Sequence, residues 1–352
     1  MKEIIRYPLA QIDGASCMFP DVATDGKTVV CCFVESQWHH RRVPSGLWMA
    51  VSEDQGNTWK KEMIRCAPTG KFYNSPRIVS DGPGKFIIVV DVMPVGGFTA
   101  DFMSQYGDAD EIDITTFYTK NGGESWKEES SSIYGICPSL FLDTMGVKKK
   151  LVTQFYNPGT RRWGLMVYDG ETNKRLGADC LSDEPKGIIA SPEHDLCEGA
   201  LTRTGNSLVM LMRCNSSSGL PGMRSVSVDD GKTWGPPEPF CLPGGMHRPT
   251  IIKLRSGHFF ASFRFYPACG YNQNTFAAMM PAHTLVAPRH LQTAVIRPID
   301  FNPNPDSDQG YTGACELNNG TILVVNYGNF NRQHTEIVSY RLSPSDFLSE
   351  GL

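Results

Sequence analysis

The sequence lacks the features that would place it in a membrane or on nucleic acid. No apolar run in its 352 residues is long enough to span a bilayer, and the N-terminus has no apolar segment typical of a secretion signal. The net charge is −4, and the one short basic run, residues 148–150, lies beside a turn. Because nucleic acid and anionic membranes attract positively charged surfaces, we expect neither as a partner.

The chain also has no recognisable metal or cofactor motif. It contains eleven cysteines, an odd number, and none forms a CxxC pair or a Cys/His group with zinc spacing. We therefore predict reduced, mostly buried thiols, no metal, no cofactor and a cytoplasmic location. A secreted chain whose signal peptide had been removed would show the same features. The sequence leaves the oligomeric state open.

Helical periodicity is scarce, whereas one eight-residue pattern occurs three times. The pattern is Ser/Thr-x-Asp/Asn-x-Gly-x-Thr/Ser-Trp, at residues 52–59, 119–126 and 227–234. The Asp or Asn and the hydroxyl side chains can bind nearby backbone N–H groups and hold a turn. The glycine allows a backbone conformation that a Cβ would strain, and the tryptophan suits packing between sheets. The acidic residues of these octets are therefore predicted to be structural.

A longer repeat consists of two short apolar runs on either side of a glycine-containing turn, the signature of a strand hairpin. It occurs six times, at residues 19–33, 75–90, 138–155, 198–213, 248–264 and 313–327. Units of about 50 residues are in the size range of propeller blades. The sequence thus predicts an all-β protein, a six-bladed β-propeller of four-stranded antiparallel blades that forms one domain over residues 1–352.

The octet resembles the Asp-box, or BNR repeat, of the sialidase superfamily, and this resemblance implies a sialidase-like propeller. A propeller ring must be closed, because an open sheet edge invites unwanted pairing. Residues 3–7 have the composition of a strand and precede the first complete unit. We expect this segment to supply the outer strand of the last blade, beside residues 335–340.

Two segments resemble the parts of sialidases that carry the catalytic residues. Residues 198–213 contain a Glu, a hairpin and an Arg and are followed by an octet, and residues 308–322 resemble the last-blade segment that bears a Tyr. The resemblance implies that Glu198 is the base, Tyr311 the nucleophile and Arg213 a ligand of the substrate carboxylate. All three are expected at the rim opposite the octets, where the inner strands of the blades converge.

The pairing of Tyr and Glu is chemically coherent. A Tyr hydroxyl is a weak nucleophile at neutral pH and needs an adjacent carboxylate to take its proton. A neutral nucleophile also suits attack at an anomeric carbon that bears a carboxylate, and sialidases are an exception to the usual two-carboxylate scheme. Because arginines recognise carboxylates through paired hydrogen bonds, an arginine cluster is expected. The further residues predicted to bind substrate are Arg248, His247, Arg77 and Asp308.

Two elements of the sialidase pattern are missing. The first blade of a sialidase begins with Arg-x-Pro, and here Met18 occupies the place of the arginine. The usual acid/base Asp before the first octet is also absent, and that interval instead holds Glu35, Trp38 and His39. We predict that Glu35, His39 or the adjacent His40 takes the role of the acid. Trp38 is expected to stack on a sugar ring.

The sequence therefore predicts a sialidase-like glycoside hydrolase that acts on a terminal, acidic sugar of an oligosaccharide or glycoconjugate. Two alternatives remain open. The first is a glycan-binding propeller without catalytic activity, favoured by the missing arginine and aspartate. The second is a hydrolase or lyase that uses His39, His40 or His247 as its acid/base.

Overall fold

The computed structural model describes residues 4–37, 44–94, 112–143, 148–157, 162–172, 174, 187–215, 220–266, 273–302, 307–329 and 334–347. Throughout these ranges the regular structure consists of β-strands and a few 3₁₀ turns. The short apolar runs are rich in β-branched residues and separated by turn residues, which favours strands over helices. Within the described ranges, no helix is long and apolar enough to cross a membrane.

The strands form six antiparallel sheets, which are the predicted blades. Blade one contains β2 (Ser16–Thr24), β3 (Val29–Ser36), β4 (Gly46–Ser52) and β5 (Lys60–Cys66). Blade two contains β6 (Lys71–Tyr73) and β7 (Arg77–Ser80), which share the innermost position, then β8 (Phe86–Pro94), β9 (Asp113–Thr119) and β10 (Lys127–Tyr134). Blade three contains β11 (Ile136–Asp143), β12 (Lys148–Asn157), β13 (Arg162–Asp169) and β14 (Ile188–Ile189).

The other three blades repeat this arrangement. Blade four contains β15 (Leu196–Thr204), β16 (Ser207–Cys214), β17 (Met223–Ser227) and β18 (Glu238–Pro239). Blade five contains β19 (His247–Lys253), β20 (Phe259–Phe265), β21 (Asn274–Met280) and β22 (Val295–Asp300). Blade six contains β23 (Gly313–Glu316), β24 (Ile322–Gly328), β25 (Glu336–Leu342) and, as its outer strand, β1 (Tyr7–Ala10). Apolar side chains pack between neighbouring blades, and one cluster joins β24, β3 and β8.

The first strand closes the ring, as the sequence predicted. β1 pairs antiparallel with β25, with Tyr7 opposite Ser339. The observed strand shares only Tyr7 with the predicted residues 3–7, because the side chains that the core buries here are those of Leu9 and Ala10. Arg6 adds an ion pair to Asp300 of blade five at 2.7 Å.

The octets connect the third and fourth strands of blades one, two and four. In the first octet, Ser52 Oγ accepts a hydrogen bond from the Gly56 backbone N–H at 2.7 Å, and Asp54 Oδ1 accepts one from the Thr58 N–H at 2.9 Å. The third octet has the same contacts. In the second, the Trp126 indole N–H reaches the sulfur of Met49 in blade one at 3.2 Å. The octet side chains therefore hold turns and contact neighbouring blades.

An irregularity near the start of each inner strand positions the functional rim. In four blades the strand register shifts and one non-glycine residue adopts positive φ. These residues are Phe19 (54°), Cys137 (51°), Glu198 (49°) and Arg248 (42°). Blades two and six have a gap in pairing at the same level, which holds Ser75 and Tyr311. Because a bulge re-aims a side chain, this level supplies the groups that enter the channel.

Arg248 fills the channel from blade five. Its three guanidinium nitrogens donate to Pro20 O at 3.3 Å, to Ser75 Oγ at 3.1 Å and to Pro76 O at 2.7 Å. These acceptors belong to blades one and two, on the far side of the ring. Arg248 is 1% exposed, so its donors have protein partners in place of water.

Arg77 makes the reciprocal connection from blade two. It donates to Pro249 O and to Thr250 Oγ1 of blade five, each at 2.9 Å, and lies 3.9 Å from the Asp21 carboxylate. Burial and the nearby Arg248 lower the pKa of Arg77 to about 10, so the group remains protonated at neutral pH. The two arginines thus cross the ring in opposite directions and join opposite blades.

We expect Arg248→Met to lower the free energy of unfolding by about 3 kcal/mol or more, because each buried acceptor left without its donor costs about 1–3 kcal/mol. Urea unfolding at pH 7 measures this change. Arg255→Met is the matched control in the same blade, since Arg255 is an exposed residue paired with Glu316, and it should cost less than about 1 kcal/mol. Equal losses in the two variants would contradict the cross-channel role.

Candidate active site

The rim opposite the octets brings Glu198 and Arg213 together. Glu198 lies near the start of β15 and Arg213 near the end of β16, and because these strands are antiparallel, Cys197 pairs with Arg213. The hairpin between the strands, and the octet that follows β17, lie at the other end of the blade. The site residues therefore occupy the face that the sequence predicted for them.

Glu198, Tyr311 and Arg213 form one hydrogen-bonded triangle. The Tyr311 hydroxyl donates to Glu198 Oε1 at 2.6 Å. Arg213 Nη1 donates to Glu198 Oε2 at 3.1 Å and to the Tyr311 oxygen at 2.8 Å. The backbone N–H of Arg248 also donates to Glu198 Oε2, at 2.9 Å. Glu198 and Tyr311 are 113 residues apart in the chain, so the ring of blades creates their contact.

The charges in this triangle set the resting protonation states of Tyr311 and Glu198. Burial raises the pKa of Glu198, but the charge of Arg213 and the hydrogen bonds from Tyr311 and Arg213 oppose it, and the balance lowers the pKa to about 2. Burial and Glu198 raise the pKa of Tyr311 above its usual range, although Arg213 and Arg264 act in the opposite direction. At neutral pH the carboxylate is therefore ionised and the phenol keeps its proton, which are the starting states of a base and a nucleophile.

His247 borders the triangle as an uncharged group. Its ring stacks on Tyr266, with 5.4 Å between ring centroids. Burial and the neighbouring Arg213 lower the pKa of His247 to about 2. The imidazole is therefore neutral at physiological pH, where it contributes no positive charge to bind an anion.

Arg264 is a site residue that the sequence analysis missed. Its guanidinium carbon lies 4.0 Å from the centroid of the Tyr311 ring. Nη2 donates to Asp308 Oδ1 at 2.9 Å and to the Tyr327 hydroxyl at 2.7 Å. Asp308, predicted to bind substrate, also accepts a hydrogen bond from Tyr327 at 2.7 Å. Asp308 therefore helps to hold Arg264 beside the phenol.

A signal for Arg264 is present in the sequence. Arg213 lies opposite Cys197, just before the bulge residue of blade four. Arg264 lies opposite His247, just before the bulge residue of blade five. The same register in consecutive blades places both arginines at the rim, so aligning the six repeats would have found the second one.

The other predicted residues have mixed outcomes. Glu35 pairs with Cys17, one pair beyond the Met18–Val34 pair that corresponds to Cys197–Arg213, and it accepts a hydrogen bond from the Trp48 indole at 2.6 Å. The guanidinium groups of Arg248 and Arg77 donate to residues of other blades. Substrate binding by these two arginines stays a prediction, and their observed contacts do not support it. The residues predicted as an acid or a stacking platform between β3 and β4, namely Trp38, His39 and His40, lie outside the described residues.

The place of the missing arginine is filled by apolar groups. Met18 is fully buried. The next residue, Phe19, has positive φ and packs on Tyr311, with 5.6 Å between ring centroids. Blade one thus contributes a hydrophobic wall at this point of the site.

The channel also contains a cavity that is separate from the triangle. A cavity of about 440 Å³ occupies the channel on the octet side of Arg77, lined by Val22, Leu201 and Ile251 among others, and it does not include the triangle. Among the described residues, no three His, Cys, Asp or Glu side chains are grouped so that they could hold a metal ion.

Solved structures show that the fold is that of sialidases. A protein of unknown function from Dyadobacter fermentans has a TM-score of 0.72 at 16% identity, over 97% of this chain and 98% of that one. A Hadza microbial sialidase has a TM-score of 0.72 at 12% identity, over 98% and 69%. Trypanosoma rangeli sialidase, solved in complex with sialic acid, has a TM-score of 0.65 at 12% identity, over 96% and 57%.

No family model and no curated protein matches the sequence. The present chain spans little more than half of the Trypanosoma rangeli chain. At 12–16% identity the likeness shows the architecture, a sialidase-like propeller of six four-stranded blades, as the sequence predicted. It leaves the chemistry to the residues of the rim.

The low pKa of Glu198 predicts how stability depends on pH. Because the folded-state pKa lies below the ordinary value of 4.5, ionised Glu198 stabilises the fold above that pH, and this contribution is lost as the pH falls toward 2. The Glu198→Gln variant has no ionisable group at this position, so its stability lacks this pH-dependent contribution. In urea unfolding from pH 7 to pH 3, we expect the stability advantage of the wild type over Glu198→Gln to shrink. A difference that stays constant down to pH 3 would contradict the pairing.

Proposed function

We propose that this sialidase-like propeller is a glycoside hydrolase that removes a terminal, acidic sugar from an oligosaccharide or glycoconjugate. The observation that carries the proposal is the 2.6 Å hydrogen bond from Tyr311 to the ionised Glu198. A buried phenol whose hydroxyl points at a carboxylate is the arrangement that a Tyr nucleophile needs.

In the first step, the Tyr311 oxygen attacks the anomeric carbon and its proton passes to Glu198. The bond from that carbon to the leaving-group oxygen breaks, and the leaving oxygen takes a proton from an acid, for which Glu35 and His39 are the candidates. In the second step, the oxygen of a water molecule attacks the anomeric carbon, the water gives a proton to the same acid residue, and the bond from that carbon to the Tyr311 oxygen breaks. The Tyr311 oxygen leaves and recovers its proton from Glu198.

Arg213 is proposed to bind the acidic group of the sugar. Its Nε is buried and makes no hydrogen bond to any described residue, whereas Nη1 and Nη2 have partners in Glu198, Tyr311 and Asn215. The Arg213 side chain as a whole is 20% exposed, so a substrate carboxylate that approaches the accessible part of the guanidinium would gain a charge-assisted hydrogen bond. Trypanosoma rangeli sialidase was solved in complex with sialic acid, which is an acidic sugar. This likeness supports an acidic sugar as the substrate proposed here.

A specific observation favours a second candidate, a glycan-binding propeller without turnover. The position of the first sialidase arginine holds Met18, which is fully buried, and the aspartic acid of the family pattern is missing from the sequence. A site with fewer charged ligands would still hold a sugar against Phe19 and Arg213.

We expect Glu198→Gln and Tyr311→Phe each to lower kcat/KM on an aryl sialoside by about 10²–10⁴-fold, the range for loss of proton transfer. Glu316→Gln and Tyr168→Phe are the matched controls, because both residues lie on the octet side of the blades and should leave kcat/KM unchanged. The assay is a stopped or continuous measurement of aryl release with a panel of aryl glycosides that includes the sialoside.

Three results would contradict the proposal. Turnover unaffected by both substitutions would exclude the Tyr–Glu pair. Binding of glycans by the wild type without turnover of any glycoside would identify the binding protein. Activity lost only on replacing His247 would favour the histidine-dependent alternative.

A further inference from the structure

We propose that Arg264 is a positioning residue for Tyr311, and that its guanidinium, held against the face of the phenol ring, stabilises the phenolate that forms when Tyr311 gives up its proton. Its catalytic consequence rests on the proposed function. The interaction itself needs no turnover and can be tested without it.

The first step of the argument is the contact geometry. The Arg264 guanidinium carbon is 4.0 Å from the Tyr311 ring centroid, well inside the range for a cation–π contact. Arg264 is 5% exposed and Tyr311 8% exposed. Such contacts strengthen when both partners are removed from water. A ring that carries a negative charge attracts a cation more strongly than a neutral ring does, so the contact favours the phenolate.

The second step is that Arg264 is fixed in this position. Its Nε donates to Gln309 O at 2.5 Å, and its Nη2 donates to Asp308 and Tyr327. A carbonyl, a carboxylate and a hydroxyl therefore hold the guanidinium before any substrate arrives. A charge held in advance of the reaction costs no reorganisation when negative charge develops on the ring.

Gly310 provides an independent sign that this approach is built into the fold. Its φ is +100°, and a Cβ at this position would lie 2.9 Å from Arg264 Cβ. Only a glycine lets the segment before Tyr311 pack directly against Arg264 in this conformation. The close approach of the two segments is what places ring and guanidinium face to face.

Two arginines contact different parts of Tyr311. Arg213 donates to the phenol oxygen at 2.8 Å, whereas Arg264 lies over the ring. Burial and Glu198 raise the pKa of Tyr311, and Arg213 and Arg264 lower it. Arg248 is farther from the ring centroid, at 5.6 Å, and its donors are engaged across the channel. Arg264 is therefore the cation placed to act on the ring itself.

The test measures the ionisation of the phenol directly. 2,3,5-Trifluorotyrosine, whose phenol ionises near neutral pH, replaces Tyr311 in the full-length protein, and the ¹⁹F chemical shift is followed against pH. We expect Arg264→Met to raise the midpoint by about one pH unit, which is a tenfold change in the ionisation constant. Arg264→Lys keeps the charge but cannot stack a planar group, so it should also raise the midpoint.

Two controls separate this effect from a general loss of structure. Arg264→Lys retains an ion pair with Asp308, so it keeps the test available if Arg264→Met does not fold. Arg255→Met removes a guanidinium from the other end of the same blade and should leave the midpoint unchanged. Near-ultraviolet circular dichroism and urea unfolding establish that each titrated variant is native.

The outcomes distinguish this inference from the proposed function. An unchanged midpoint in a folded Arg264 variant overturns the inference, even if sialosides are hydrolysed. A raised midpoint in a protein that hydrolyses no glycoside supports the inference and removes the proposed function. For an active enzyme, kcat should fall about tenfold in Arg264→Met, in step with the midpoint. A higher KM with an unchanged midpoint would make Arg264 a substrate ligand and would overturn the positioning role.

Discussion

The bulge near the start of the inner strand in four of the six blades is the constraint on which the rest of the structure depends. A non-glycine residue in the left-handed region costs about 1–3 kcal/mol and persists only where its contacts offset that cost. Arg248 does so by crossing the channel to three acceptors. Glu198 does so by accepting hydrogen bonds from Tyr311, Arg213 and the Arg248 backbone. The same backbone distortion thus fills the channel and assembles the proposed site.

The sequence predicted those parts of the molecule that local patterns determine. Turn dipeptides and apolar runs located the six hairpins, and the segments 198–213 and 308–322 marked all three members of the triangle. The partners of Arg248 and Arg77 could not be predicted, because an arginine beside a proline gives no indication of the opposite blade. The rim position of Arg264 could have been found by aligning the repeats, whereas its position over Tyr311 could not, since that depends on the close approach that Gly310 permits.

The hydrogen bonds that Arg213 and Arg264 make at the rim go to other groups of the protein. Arg213 donates to both Glu198 and Tyr311 through Nη1 and to Asn215 through Nη2. Arg264 is held by Asp308 and Tyr327 against the phenol. The described part of the site therefore devotes most of its positive charge to the nucleophile. This arrangement fits a reaction whose difficulty is the weak nucleophilicity of a neutral phenol.

The central claim is that Tyr311 forms a covalent bond to the sugar. Its most direct test is mass spectrometry of the protein after incubation with a 2,3-difluorosialic acid inactivator. The fluorine on C3 of this compound stays on the sugar and slows release of the trapped group. Because the fluorine on the anomeric carbon leaves as fluoride when the bond to Tyr311 forms, we expect one added monofluorinated sialosyl group on the peptide that contains Tyr311, and no adduct in Tyr311→Phe. An adduct on another residue, or turnover of a sialoside by wild-type protein that never forms an adduct, would contradict it.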